Sequence, residues 1–171
     1  MATSGTTSFN LNIDDVIEEA YERCGIRTNS GYDLKSARRS LNLLFSEWGN
    51  QGVHLWKVEL KEQLLAAGTA TYTTPATCND VLEAYISTGT GIGSSITDVS
   101  LTKIDRSAYA ALPNKGAQGQ PSQYFVDRQT TPTITLYQAP NASTYTYLKY
   151  YFVKRIEDAG AYTNDPDVVF R

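Results

Sequence analysis

The chain has 171 residues, 41% of them hydrophobic and 19% charged, with a net charge of −3. That length suits one domain, or one domain with a subdomain, and buries roughly 70% of the surface exposed in an unfolded chain. The charge argues against a general nucleic-acid binder with a basic face, two distant cysteines do not make a zinc motif, and no apolar stretch is long enough to span a bilayer.

The polar N-terminus lacks the apolar core of a secretory signal. The sequence therefore reads as a soluble protein made in a reducing cytoplasm, with Cys24 and Cys78 as free thiols. Residues 4–8 are small and polar and read as an arm. Asn12 then stands as an N-cap. Ile13, Val16, Ile17, Ala20, Tyr21 and Cys24 recur on one helical face, so a helix is expected over 13–24, with Cys24 on its apolar side. Asp14 and Asp15 suit its first turn, and Gly25 stops it.

A second helix is expected from Ser30 or Gly31. Leu34, Ala37, Leu41, Leu44, Phe45 and Trp48 form its stripe, and Gly52 lies past its end. The short link makes the pair an antiparallel hairpin. The first helix is acidic, with Asp14, Asp15, Glu18, Glu19 and Glu22, whereas the second carries Lys35, Arg38 and Arg39. These charges face each other either within one subunit or between subunits.

After Gly52 the period changes to two. Trp56, Val58 and Leu60 alternate with charges, as in a strand with one buried face. Residues 69–73 form a short strand ended by Pro75. Residues 81–87 form another, with Leu82, Ala84 and Ile86 on one side, and 96–104 a weaker one. Asp105 caps a short helix through Ala111, stopped by Pro113. A Gly/Gln loop spans 114–121, a hairpin joins 124–127 to 133–137 around residues 129–132, and Pro140-Asn141 marks a turn. The strand over 145–153 carries Tyr145, Tyr147, Tyr151 and Val153 on one side. The fold class is α+β: an N-terminal antiparallel helical hairpin, then an antiparallel β meander or small sandwich. Residues 1–54 are the arm and hairpin, 55–157 the β-rich region and 158–171 a C-terminal extension, in one compact domain.

Little in the chain points to catalysis. The single histidine, His54, has no nucleophile or orienting acid patterned around it. Asp14 and Glu18 share a helix face and could hold a cation, but such pairs are commonly solvated surface. The glycine-rich TGTGIGSS run (88–95) resembles a phosphate cradle yet lacks the P-loop Lys-Ser/Thr end, and otherwise reads as a flexible hairpin tip able to dock on partners. Asn141-Ala142-Ser143 matches a glycosylation acceptor by pattern alone. The expectation is a protein that is not an enzyme and has no cofactor, no metal and no membrane partner. Its twelve tyrosines suit half-buried strand faces and interfaces.

The order of segments carries more information. IDDVIEEAYERCGI (13–26) precedes GYDLKSARRSLNLLFSEWGNQGVHLW (31–56), then TATYTTPATCNDVLEAYI (69–86), QPSQYFVDRQ (120–129), ITLYQAP (134–140) and LKYYFVKRIEDAGAYTNDPDVVFR (148–171). This order resembles the head-to-tail adaptors of podoviruses, also called tail tubular protein A or tail accessory factor, from about Phe9 onward. The resemblance implies a structural protein of the virion neck, assembled in the host cytoplasm as a ring of twelve beneath the portal protein. It implies a platform for the tail tube or nozzle and a channel that double-stranded DNA passes without specific binding during genome ejection. It also implies a further helix and a portal-reaching arm beyond a DPDVVFR-like segment, where this chain stops at Arg171.

A closed ring uses heterologous contacts, and the acidic and basic helices and the tyrosines supply unlike faces. Lys35, Arg38, Arg39, Asp14, Glu18, Tyr145 and Tyr147 are the expected subunit or partner contacts, with DNA contact a lesser reading of the basic cluster. Two other functions fit the same sequence less fully: a ligand- or carbohydrate-binding β module on a helical hairpin, and a hydrolase with an unusual site.

Overall fold

A computed structural model describes residues 12–26, 31–51 and 58–155. These fall into two compact units, one holding the first two helices and the other spanning Lys57–Arg155. His54, Trp56, Gly52, Ser30, the arm at 4–8 and the C-terminal extension lie outside the described residues.

In the helical unit, α1 is Ile13–Arg23 and α2 is Gly31–Asn50. Asp15 Oδ2 accepts from the Asn12 backbone N–H at 3.3 Å, which satisfies one donor that the helix start leaves open. Past α1, Gly25 takes a left-handed φ of 71°. Its N–H donates to Glu22 O, and the Ile26 N–H reaches back to Tyr21 O. That pair of bonds is a Schellman closure, which a Cβ at Gly25 would strain. Ile13, Ile17 and Phe45 form the buried centre, flanked by Tyr21, Leu34, Ala37, Leu41 and Trp48. Tyr21, near the end of α1, donates its hydroxyl to Asp33 O at the start of α2. The helices therefore run antiparallel, as the short link requires. Three expected core positions differ: Leu44 is 38% exposed, and Ala20 and Cys24 are exposed. All three line an open groove between the helices, where the facing helix does not cover them.

The second unit contains β1 (Val58–Leu64), β2 (Thr71–Thr73), β3 (Cys78–Ser87), β4 (Asp98–Ser100), β5 (Thr102–Ile104), α3 (Arg106–Ala111), β6 (Gln118–Gly119), β7 (Gln123–Asp127), β8 (Thr133–Tyr137), β9 (Ala139–Pro140) and β10 (Tyr147–Lys154). One sheet has the order β1-β10-β3-β4, a second β2-β8-β7-β5, and β6 pairs with β9. The arrangement is a small sandwich and not a meander: the last strand, β10, enters between β1 and β3. The fold is α+β, as the change of period predicts. Pairing is mostly antiparallel, but β5 with β7 and β6 with β9 run parallel.

One core serves both four-stranded sheets. It joins Val81, Ala84 and Ile86 of β3 and Leu148, Tyr150 and Phe152 of β10 to Tyr124 of β7 and Ile134 and Leu136 of β8. The hydroxyl of Tyr124 donates across the sandwich to Leu82 O at 3.2 Å.

Four alternation readings are corrected. The strand expected over 96–104 is two strands in different sheets. Leu101, buried between them, keeps its N–H on Ala84 O, whereas the Thr102 N–H bonds to Ser122 O. Leu82 is 43% exposed, because a register shift opposes Tyr151 to Glu83 and Phe152 to Val81, leaving Leu82 as the extra residue of a bulge. In β10 the buried side is Leu148, Tyr150 and Phe152, and Tyr151 is 41% exposed. Period two separates the faces but does not say which one meets the second sheet. Val153, which alternation sets on the side of Tyr151, is nonetheless buried, and Leu60, expected on the buried face of its strand, is 43% exposed at the sheet edge.

α3 is short and capped at both ends. Asp105 Oδ1 accepts from the Ala108 N–H at 2.6 Å, and that bond holds the Asp105 carboxyl below the ordinary aspartate range. Lys115 Nζ donates to Ala110 O and Leu112 O at the other end. The rings of Tyr109 and Phe125 stack at 5.6 Å, with Lys115 over the first and Arg106 over the second. Because the folded pKa of Asp105 is depressed, its contribution is full above the unfolded value and fades as pH falls through the folded one. Asp105→Ala is therefore expected to speed amide exchange at Ala108–Ala111 at neutral pH while leaving global unfolding nearly unchanged. Wild type should show the same local loosening only in acid.

Candidate interaction surfaces

Among the described residues no group of three or more His, Cys, Asp or Glu side chains is placed to hold a metal ion, and no helix is long and apolar enough to cross a membrane. What the structure offers instead is surfaces.

The first lies on the helical unit. On α1, Asp15, Glu18, Glu19 and Glu22 are exposed and Asp14 is half-buried. Only Arg23, paired with Glu19 at 2.7 Å, offsets them within the helix. On α2, Lys35 and Arg39 are exposed one turn apart, and Arg38 is half-buried. The sequence thus places an acidic and a basic helix face on one small unit, and the fold keeps Glu18, Lys35 and Arg39 at the surface.

Between the same helices runs an apolar groove of about 360 Å³, lined by Val16, Ile17, Ala20, Tyr21, Cys24, Ile26, Ala37, Ser40, Leu41 and Leu44. Its rim includes Ile26, 55% exposed. Helical spacing pointed to these residues as core, Ile26 and Ser40 apart; among the described residues the two helices do not cover a stripe this wide.

The second surface is the outer face of the β1-β10-β3-β4 sheet. Leu60 pairs in register with Tyr151, which pairs with Glu83. Leu60, Leu82 and Tyr151 form an exposed apolar strip across three strands. Tyr147 stands further along this face, half-buried and in register with Leu64 and Ser87. Tyr145 packs against the sandwich core and is also half-buried. The candidate tyrosines therefore lie on or beside this sheet, whereas the charged candidates lie on the helical unit.

The loop after β3, residues 88–95, folds back over the same face. Lys149, 4% exposed, donates to Gly91 O at 2.8 Å, and Glu62 Oε1 accepts from the Gly91 N–H at 2.7 Å. Asp98 completes the charge pairing of Lys149 at 3.2 Å. Ser87 Oγ donates to Gly89 O, and Thr88 Oγ1 accepts from the Thr97 N–H. Ile96 tucks its side chain against Gly89 and Gly93, where added Cβ atoms would stand 3.5 Å away. This corrects the flexible tip. The Gly91 N–H that a phosphate cradle would offer is already spent on Glu62. The one apolar side chain of the loop turned fully outward is Ile92. An isolated isoleucine inside a Gly/Thr/Ser run was the sequence signal for it. No local pattern marked Lys149, which is buried by a loop more than 50 residues away.

A hollow of about 560 Å³ near α3 is lined by Lys103, Arg106 and Arg128 among others. Each of these cations meets an acid: Asp80 takes Lys103 and Arg128, and Asp127 takes Arg106. The Asp80 bonds tie the two sheets together, the Asp127 bond ties α3 to β7, and each cation is thus already met by a carboxylate.

Residues 12–170 match the family model described as SU10 adaptor protein, a match that runs through both units. The chain belongs to the SU10 adaptor protein family. It is a phage head-to-tail adaptor, a structural protein of the virion neck, where an adaptor meets portal and tail proteins. No curated protein matches the adaptor. The surfaces above are thus those of a protein whose work is joining others.

Proposed function

We propose that the adaptor forms a closed ring, of twelve copies in the virion, that joins the portal to the tail tube or nozzle and lines part of the channel through which double-stranded DNA leaves. The ring is assembled in the host cytoplasm. The observation that carries this reading is the pairing of unlike charge faces on the helical unit, exposed acids on α1 and exposed Lys35 and Arg39 on α2. A heterologous contact needs two different faces that complement each other around a rotation axis. Glu18 and Asp14 of one copy meet Lys35, Arg38 and Arg39 of the next, and Tyr145 and Tyr147 contribute from the β unit. DNA passes without specific binding, in keeping with the net charge of −3.

The test is assembly with the portal. Lys35→Glu with Arg39→Glu should abolish rings in electron micrographs while the circular dichroism spectrum stays that of wild type. Adding Glu18→Lys and Glu22→Lys should restore rings, because the charges then complement again. Wild-type assembly by the first double variant would sink the role of the basic face. Particles of wild-type adaptor and portal that show no adaptor ring would sink the ring itself.

A further inference from the structure

We propose that the loop at residues 88–95 of one copy docks Ile92 into the α1/α2 groove of a neighbouring copy. This rests on the ring reading above and names one of its contacts.

Two features meet here. One is an apolar knob: Ile92 stands fully exposed on a loop held at its base by Lys149, Glu62, Ser87 and Thr88 and filled inside by Ile96. A fixed loop loses little conformational freedom on docking. The other is an apolar hole: the groove of about 360 Å³ between α1 and α2. An apolar cavity of about 150 Å³ accepts a benzene ring, so this groove has room for a branched side chain and part of the loop beside it. The residues around Ile92, from Thr88 to Ser95, carry no charge, so none must be stripped of water on entry.

Charge favours the same pairing. The two walls of the groove, α1 and α2, carry seven Asp and Glu against four Lys and Arg, a net of −3. The unit Lys57–Arg155, which presents Ile92, carries nine Lys and Arg against seven Asp and Glu, a net of +2. Opposite net charge draws the loop-bearing unit of one copy toward the groove-bearing unit of another. Knob and hole are different surfaces, so the contact is heterologous and repeats from copy to copy.

The adaptor carries its own probe. Cys24 lines the groove and is exposed, whereas Cys78, the other cysteine, is buried. Full-length adaptor carrying Ile92→Cys is assembled with portal, oxidised mildly and run on a non-reducing gel. The expected result is a ladder of cross-linked multimers, absent from wild type and from Ile92→Cys with Cys24→Ser. Thr90→Cys, which keeps Ile92, should give the same ladder and covers the case in which Ile92→Cys fails to assemble. Ile92→Asp should reduce ring yield at least tenfold with the monomer fold kept. Rings that form normally while both cysteine variants stay monomeric overturn the contact and leave the ring reading standing. A ladder that survives Cys24→Ser, a cross-link confined to one chain, or wild-type ring yield from Ile92→Asp also overturns it. A wild-type preparation without rings overturns the ring reading first.

Discussion

Tyr150→Ala is expected to destabilise the adaptor by about 4 kcal/mol, near the upper range for truncating a large core side chain. Tyr150 is 0% exposed and sits between Leu148 and Phe152 on the inner face of β10, with its ring 6.0 Å from that of Phe152. β10 is the strand that joins β1 to β3, so a cavity there loosens both neighbours at once. Burial pushes the Tyr150 phenol up to about 12, and the hydroxyl meets no hydrogen-bond partner among the described residues. Tyr150→Phe removes that unpartnered oxygen and should therefore stay within about 0.5 kcal/mol of wild type or exceed it. Tyr124→Phe is the contrast. It deletes the bond to Leu82 O at the bulge and should cost about 1 kcal/mol. Denaturant midpoints for the three variants check the ranking. A Tyr150→Phe loss as large as that of Tyr124→Phe would show that the Tyr150 hydroxyl is bonded.

Lys149→Ala is expected to cost about 2–3 kcal/mol and to free the 88–95 loop. Removing one member of a buried ion pair costs about 3–5 kcal/mol when its partner stays buried and uncompensated. The figure is lower here because the side chains of Glu62 and Asp98 keep 27% and 45% of their exposure and can turn to water. Losing Lys149 also leaves Gly91 O without its donor. Lys149→Met fills the space without the charge and should recover part of the packing but not the loop. Hydrogen exchange at Gly91 and Thr97 reads the loop directly, and both variants should accelerate it relative to wild type. Protection unchanged in Lys149→Met would mean that Glu62, Ser87 and Ile96 hold the loop without the lysine.

Much of the adaptor was legible before any tertiary contact was known. The α1 stripe, its Asn12 start and its Gly25 stop are local facts of capping and spacing, and α1 ends where glycine can turn left-handed. Asp105 and Pro113 bracket α3 for similar local reasons. The hairpin of 124–127 with 133–137 follows from period-two alternation around a turn. The acidic and basic character of the two helices could be counted from the residues, and the order of segments indicated the family.

Other features depended on residues far apart in the chain. Alternation assigned two faces to β10 but could not choose between Tyr151 and Tyr150 as the buried one, because both are aromatic and the choice rests on where the second sheet lies. The bulge at Leu82 arises from pairing with Tyr151 and Phe152, some 70 residues later. Leu101 reads as mid-strand, yet the chain changes sheets there because its neighbours bond to different partners. By itself the sequence determined the helices, their ends, their charge and most of the alternating strands, since these depend on spacing and backbone freedom within a few residues. Only the tertiary structure decided which faces are covered, that Lys149 is buried, and that Ile92 stands out on an anchored loop. Coverage is set by whatever packs from elsewhere in the fold, which no local pattern contains.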